Sequence, residues 1–240
     1  MKLKTIVVTT ALLATTSAWA VDTSITIEGV SDYRFRGISQ TAGDPAIQGS
    51  FDLAFDSGFY VGTWGSNVDF EDDADIEVDF YGGYFWEIND NLGLDVMLSY
   101  YTYPGYDYDS DYLELINTLW VGGLGLQYAY SDDYVNTGDS AHYFAADYNI
   151  PVADTAGFFE GIGIDLHAGY STGDYWDDWD IGSYTDFSIG VSANVKGLDM
   201  SLSYLYNGVD KIMEVPTGAF RNDDTVLFTL GYTFDLFASE

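Results

Sequence analysis

There is no cysteine in the 240 residues, so no disulfide holds this fold and no thiolate chemistry is open to it. Bases are scarce as well. Lys and Arg number 7 against 39 Asp and Glu, a formal charge of −32. A chain so poor in bases cannot build a basic patch, which excludes nucleic-acid binding. Histidine occurs twice, as His142 and His167. After residue 20 no stretch approaches the roughly 18 apolar residues of a spanning helix, so helical membrane spans are excluded. What the chain has in plenty is aromatic: 18% of it, with 21 Tyr and 15 Phe, residues that favour strands and membrane interfaces.

The first 20 residues read as a secretory signal. Lys2 and Lys4 give a charged start, Ile6 to Ala14 an apolar stretch, and Ala18-Trp19-Ala20 an A-x-A cleavage site. The expected mature chain is therefore 21–240, one domain. Loss of Lys2 and Lys4 leaves 5 bases against 39 acids in it, a formal −34. Such a charge has two readings. One is a field that attracts cations; the other is adaptation of a whole proteome to salty water.

The dominant pattern is a period of two. From Ala46 to Asp56 the odd positions are Ile47, Gly49, Phe51, Leu53 and Phe55, while the even ones include Gln48, Ser50, Asp52 and Asp56. This is extended chain with one apolar face and one wet face. The pattern recurs and predicts strands at about 23–36, 46–56, 59–68, 76–88, 92–103, 112–121, 124–131, 141–150, 161–171, 185–195, 198–207 and 225–236. The count reads as twelve, with ten or fourteen as alternatives, because 59–68 and 112–121 have faces of similar polarity.

The connections alternate too. Asp56-Ser57-Gly58, Asn89-Asp90-Asn91, Gly122-Gly123 and Lys196-Gly197 are tight, and 151–160 reads as a longer member of the same set. The other set, 37–45, 69–75, 104–111, 132–140, 172–184 and 208–224, is longer and acidic. Short turns on one side and long loops on the other are the habit of outer-membrane barrels. Hydrocarbon offers no partner to a bare N–H or C=O, so a sheet in a membrane must close on itself. The fold class expected is all-β, a transmembrane antiparallel up-and-down barrel. A soluble sandwich or lipocalin-like carrier would need its outward parity to be polar, and here it is Leu, Ile, Val, Phe and Tyr.

Several stretches are distinctive: Ser31-Asp32-Tyr33-Arg34-Phe35-Arg36-Gly37-Ile38-Ser39-Gln40, Gly58-Phe59-Tyr60-Val61-Gly62-Thr63-Trp64-Gly65-Ser66-Asn67-Val68, Tyr101-Thr102-Tyr103-Pro104-Gly105, Pro45-Ala46, Tyr81-Gly82, Glu77 and Glu114. With these the chain resembles the TorF family of porins (Gcw_chp), a proteobacterial outer-membrane family formerly classed as of unknown function. The specific motifs cover the first half of the mature chain, and the second half matches in rhythm. The resemblance implies an outer-membrane barrel and a porin-like role, with no substrate or site residues attached. The last strand, Thr229-x-Gly231-x-x-Phe234-x-Leu236, resembles the signal read by the barrel assembly machinery.

Arg34 and Arg36 share parity with Thr26, Glu28 and Asp32, opposite the greasy face of the first strand, and so are expected in the lumen. Facing wall acids such as Asp52, Glu77, Asp79 and Glu114, they form the cationic half of a transverse field, or else a salt-bridged plug. Twelve strands fall between filled barrels of about 8 and open channels of about 16–18, so either fits. Acid clusters at 69–75, 107–111 and 174–180 lack the central Gly and terminal Glu of the twelve-residue calcium loop. They read as solvated loops, with a collective role as a negative mouth. His167 with Asp165 and Ser171 invites a triad, but no nucleophile elbow is present and no catalysis is expected. Trp64, Trp86, Trp120, Tyr100, Tyr101 and Tyr103 are expected in interface girdles, with a sugar-stacking slide as the alternative. The function expected is passive passage of small hydrophilic solutes or cations, without cofactor, the rival being a non-conducting barrel with a filled lumen. Lipid and the assembly machinery are its expected partners.

Overall fold

The computed structural model describes residues 21–70, 73–209 and 219–237. The leader at 1–20 lies outside the described residues, as do Glu71, Asp72 and the tail 238–240.

Twelve antiparallel strands close into a barrel. They are β1 (Val21–Val30), β4 (Ala46–Phe55), β5 (Phe59–Asn67), β6 (Ile76–Asn89), β7 (Leu92–Thr102), β8 (Tyr112–Val121), β9 (Leu124–Ser131), β10 (Ala141–Ala156), β11 (Phe159–Thr172), β12 (Tyr184–Val195), β13 (Leu198–Asn207) and β14 (Thr225–Phe237). Each pairs with its sequence neighbour, and β1 pairs with β14 from Thr23↔Phe237 to Val30↔Thr229 to close the ring. Closure leaves no edge, so every strand finds its hydrogen bonds within the wall. Two further strands, β2 (Arg34–Phe35) and β3 (Ile38–Ser39), form a separate small hairpin.

The alternation decides which way each face points. Val226, Phe228, Leu230, Tyr232, Phe234 and Leu236 on β14 all face outward and are exposed, as are Phe187, Ile189 and Val191 on β12. Their neighbours of opposite parity, among them Gln48, Ser66, Glu77, Asp79, Ser99, Glu114 and Asp186, are buried inside. The molecule is thus turned inside out relative to a water-soluble sandwich. Among the described residues no helix is long and apolar enough to cross a membrane.

One end of the barrel carries only tight turns. Lys196-Gly197 has positive φ at both residues (54° and 91°), the geometry that suits the twist of a two-residue hairpin. The connection expected to be long, 151–160, is tight as well. The ladder of β10 and β11 runs on to Ala156↔Phe159, leaving Gly157-Phe158 as the turn. A proline at 151 would ordinarily end a strand. Instead a register shift between Pro151 and Ala153 accommodates the proline and the strands continue.

The first strand also differs from expectation. It ends at Val30, not 36, and the chain then turns into the barrel. Phe35↔Ile38 pairing across Arg36-Gly37, with φ of 51° and 82°, makes 34–39 a second hairpin. Its residues keep alternating, so periodicity alone ran the strand on through them.

Candidate functional site

The hairpin and its flanks, residues 31–45, fill the loop half of the barrel interior. The segment is knotted around Asp32, which is 6% exposed. Its carboxylate accepts Arg34 Nε at 2.5 Å, Ser39 Oγ at 2.6 Å and Thr41 Oγ1 at 3.2 Å. Arg34 Nη1 donates to the carbonyls of Gly37, Arg221 and Asp223. Backbone bonds from Gln40 N to Tyr33 O and from Asp44 N to Thr41 O complete the knot.

Arg36, at the tip, reaches the wall. Its Nη2 lies 2.7 Å from Glu114 Oε2, and the two side chains are 7% and 0% exposed. The guanidinium sits 4.6 Å from the centre of the Phe35 ring and 4.5 Å from that of Tyr143, a cation–π sandwich. Tyr101 donates to the same Glu114 oxygen at 3.2 Å, and its ring meets Phe35 edge-on at 5.9 Å. Gly37 packs so closely that an added Cβ would fall 2.7 Å from Asn207 Nδ2 and 2.9 Å from Asp186 Cβ. Behind the hairpin, on β6, Glu77 and Asp79 are 2% and 7% exposed, and each keeps one oxygen without a hydrogen-bond partner, as does Glu114. Burial raises the Tyr33 phenol well above its ordinary range, with the charge of Glu77 adding to the effect, so Tyr33 is neutral.

Of the residues singled out in the sequence, the fold gathers Asp32, Arg34, Arg36, Glu77, Asp79 and Glu114 in the loop half. Asp52 stands apart. It lies toward the turn end of β4, accepting from Ser50 at 2.7 Å and from Tyr81. The arginines are inside the barrel, but on the inserted hairpin and not on the wall of β1.

A cavity of about 370 Å³ lies beneath the hairpin, between Arg34, Arg36, Gln127, Tyr143, His167 and Asp186. His167 is held on both sides, Nδ1 to Asp147 and Nε2 to Asp186, each at 2.7 Å. Asp165 instead accepts Asn149 Nδ2 at 2.7 Å, and Ser171 is not a partner of His167. This cluster was not anticipated. The cross-strand register Asp147↔His167 would have revealed it, but reading 151–160 as a loop left that register undefined.

The aromatic expectation divides. Trp86 and Tyr100 are exposed on the outer face. Trp64 and Trp120 have inward parity, and Trp64 meets Tyr33 at 5.3 Å. Tyr101 is buried with Tyr112, Tyr134, Trp176 and Tyr184, while Tyr103 packs on Phe70. Trp64, Tyr101 and Tyr103 line and cap the interior around the inserted hairpin, while Trp120 stands at the turn end beside Gly125. Burial, with Asp139 nearby, pushes the Tyr175 phenol of the loop helix α1 (Asp174–Asp178) up to about 12. The acidic loops are cross-tied: Asp111 accepts Tyr103 N, and Asp174 accepts Ser140 Oγ. Among the described residues no group of three or more carboxylates or histidines is arranged to hold a metal.

A family model for bacterial proteins of unknown function, Gcw_chp, matches residues 14–234. The chain belongs to the Gcw_chp family. Comparison with curated protein sequences gives no match. Among solved structures this Gcw_chp barrel is similar to the NanC porin (TM-score 0.57, 11% identity, 88% of this chain and 100% of that one). It is also similar to the KdgM porin (0.54, 9%, 89% and 99%) and to KdgM in complex with disordered oligogalacturonate (0.51, 8%, 91% and 100%). At these identities the likeness establishes a shared fold, that of porin barrels.

Proposed function

We propose that this Gcw_chp protein is an outer-membrane channel of the kind its resemblance to the TorF porins implies. It passes small hydrophilic solutes or ions by passive diffusion and prefers cations. The observation that carries the reading is the inversion of the barrel: Ile, Leu, Phe and Val rows outside, carboxylates inside. An apolar band of that kind is stable only against lipid. The signal at 1–20 would deliver the chain to the periplasm, and the strand Thr225–Phe237 would present it to the assembly machinery. The turn end then faces the periplasm and the loop end the exterior.

Cation preference follows from the lining. Below the hairpin the inward parity carries Glu28, Asp52, Asp95, Asp147, Asp165 and Asp199, with His167 the one basic side chain among them. A low-dielectric wall focuses that field on the lumen. The candidate pore residues are Arg34, Arg36, Asp32, Glu77, Asp79 and Glu114 around the hairpin, with Asp52 below it.

One observation favours the rival reading, a structural or surface-binding barrel that does not conduct. The hairpin and the aromatic loops fill the loop half, where Arg36, Glu114 and Trp176 are all buried. Planar-bilayer recording of the refolded protein separates the two. A channel gives ohmic steps whose reversal potential in a salt gradient reports cation preference. A silent bilayer, with the barrel shown folded by heat-dependent gel mobility, removes the channel reading.

A further inference from the structure

The strongest remaining feature is the way segment 31–45 is held. It is bonded to itself far more than to the wall. Asp32, Arg34, Ser39, Thr41, Gln40 and Asp44 satisfy one another, so the knot keeps its hydrogen bonds wherever it sits. Its two ends leave from paired residues of adjacent strands, Val30 and Ala46. It can therefore move as one body on a double hinge without opening the barrel. At its root Ser31 is bonded to Phe228 of β14, and at its tip it meets the strand wall through one ion pair, Arg36–Glu114, through ring contacts with Tyr101, Tyr143 and Trp64, and through the close packing of Gly37 on Asn207 and Asp186. Bonds to the neighbouring loops are few: Ser39 N to Arg221 O, Arg34 to the carbonyls of Arg221 and Asp223, and Asp69 N to Gln40 O.

The seat it covers holds more carboxyl groups than cations. Glu77, Asp79 and Glu114 face a single guanidinium, each with an oxygen left without a partner. Tyr33, Tyr101 and Tyr103 supply hydroxyls but no charge. Carboxyl oxygens left without a partner in a dry seat favour water over the hairpin. The ion pair draws the hairpin in, and the unpartnered carboxyl oxygens favour letting water in.

We infer that residues 31–45 form a latched gate, with Arg36–Glu114 as the latch, that swings out as a unit to uncover a carboxylate-lined passage. This rests on the channel reading for its purpose but not for its test. When the latch is closed, the passage narrows to the cavity between Arg36 and His167. When it is released, Glu77, Asp79, Glu114 and Asp186 become the lining and the opening widens on the acidic side. The Arg36 charge leaves the lumen with the hairpin, so the released state is the more cation-selective one.

The absence of cysteine gives a clean test. Ser99 lies on β7 beside Glu114, faces inward and is 3% exposed. Ser99→Cys places a thiol under the seated hairpin with little change in size. Refolded barrels carrying S99C alone, and S99C with R36Q, are treated with a charged, water-soluble thiol reagent, and currents are recorded in parallel. With the latch intact the thiol reacts slowly. With R36Q the rate is expected to rise about tenfold or more, because removing one partner of a buried ion pair shifts such an equilibrium by at least that factor. Single-channel conductance and cation preference rise together with it. Should R36Q not refold, E114Q breaks the latch from the wall side and carries the same expectation. An unchanged labelling rate in a folded latch variant overturns the gate. Faster labelling without current upholds the gate and overturns the channel reading.

Discussion

Arg36 and Glu114 lie 78 residues apart in sequence, and their side chains meet at 2.7 Å inside the barrel, shielded from solvent on both sides. One sits on an inserted hairpin and the other on the wall. The pair ties these two parts together. Its energetics are those of a buried ion pair: small net gain when both partners are present, large loss when one is removed.

A double-mutant cycle on this pair is the first prediction. Glu114→Ala strands a buried guanidinium and is expected to cost about 3–5 kcal/mol, as is Arg36→Ala from the other side. The double variant is expected to recover most of the loss, because no unpaired charge remains. The check is the urea midpoint of the refolded barrel, read by tryptophan emission, since Trp64 contacts the hairpin through Tyr33. Additive losses would mean that the two side chains are not coupled.

The two faces of one strand supply the second. Leu202 is exposed outward on β13, and its neighbour Ser201 points inward. Leu202→Arg is expected to destabilise the lipid-embedded barrel by about 2–4 kcal/mol near the midplane, and Ser201→Arg by much less. Reversible unfolding in lipid vesicles reads the difference. Equal costs would contradict the lipid-facing assignment of the Leu and Phe rows.

How much of this was legible in the chain follows from which forces act locally. Side chains alternate with a period of two in any strand, so the faces of β4, β6, β12 and β14 could be read directly from residues such as Phe51, Trp86, Ile189 and Phe234. Turn chemistry is equally local, and Lys196-Gly197 fixed its hairpin. The inserted hairpin was not legible, because Tyr33 and Phe35 keep the alternation of the strand before them while burying against Trp64 and Tyr101 from elsewhere in the chain. The His167 cluster was hidden for a different reason. Its partners Asp147 and Asp186 come from both flanking strands, and a proline bulge obscured the register that aligns them.

The tight turn at Asp56-Ser57-Gly58 gives the third prediction. Gly58 has φ of +95°, and a Cβ there would lie 2.5 Å from the backbone carbonyl oxygen of Phe85. A backbone atom cannot step aside as a side chain can. Gly58→Ala is expected to destabilise the barrel by about 1–2 kcal/mol from the left-handed conformation alone, with the collision adding to it. Gly122→Ala is the control: its φ is also positive, at +61°, but nothing lies within 4 Å of the added carbon. Gly58→Ala is expected to lower the urea midpoint more than Gly122→Ala, because it adds the collision and because +61° lies within the left-handed well while +95° lies outside it.

Ion selectivity supplies the last. Inside the turn half, Asp147 keeps a side chain 51% exposed while its oxygen holds His167. Asp52, Asp95 and Asp165 are tied to Tyr81, Tyr60 and Asn149 by hydrogen bonds. Fixed carboxylates of this kind select by long-range field, not by dehydrating the ion, so salt should screen them. The Debye length falls from about 10 Å at 0.1 M to about 3 Å at 1 M, a distance shorter than the radius of a barrel of this size. The ratio of cation to anion permeability, from reversal potentials at a fixed tenfold gradient, is therefore expected to decline steadily as mean salt rises. Asp147→Asn should lower it further at low salt and leave it unchanged at high salt. A ratio indifferent to ionic strength would place selectivity in a short-range contact, and the acidic lining would then have no part in choosing the ion.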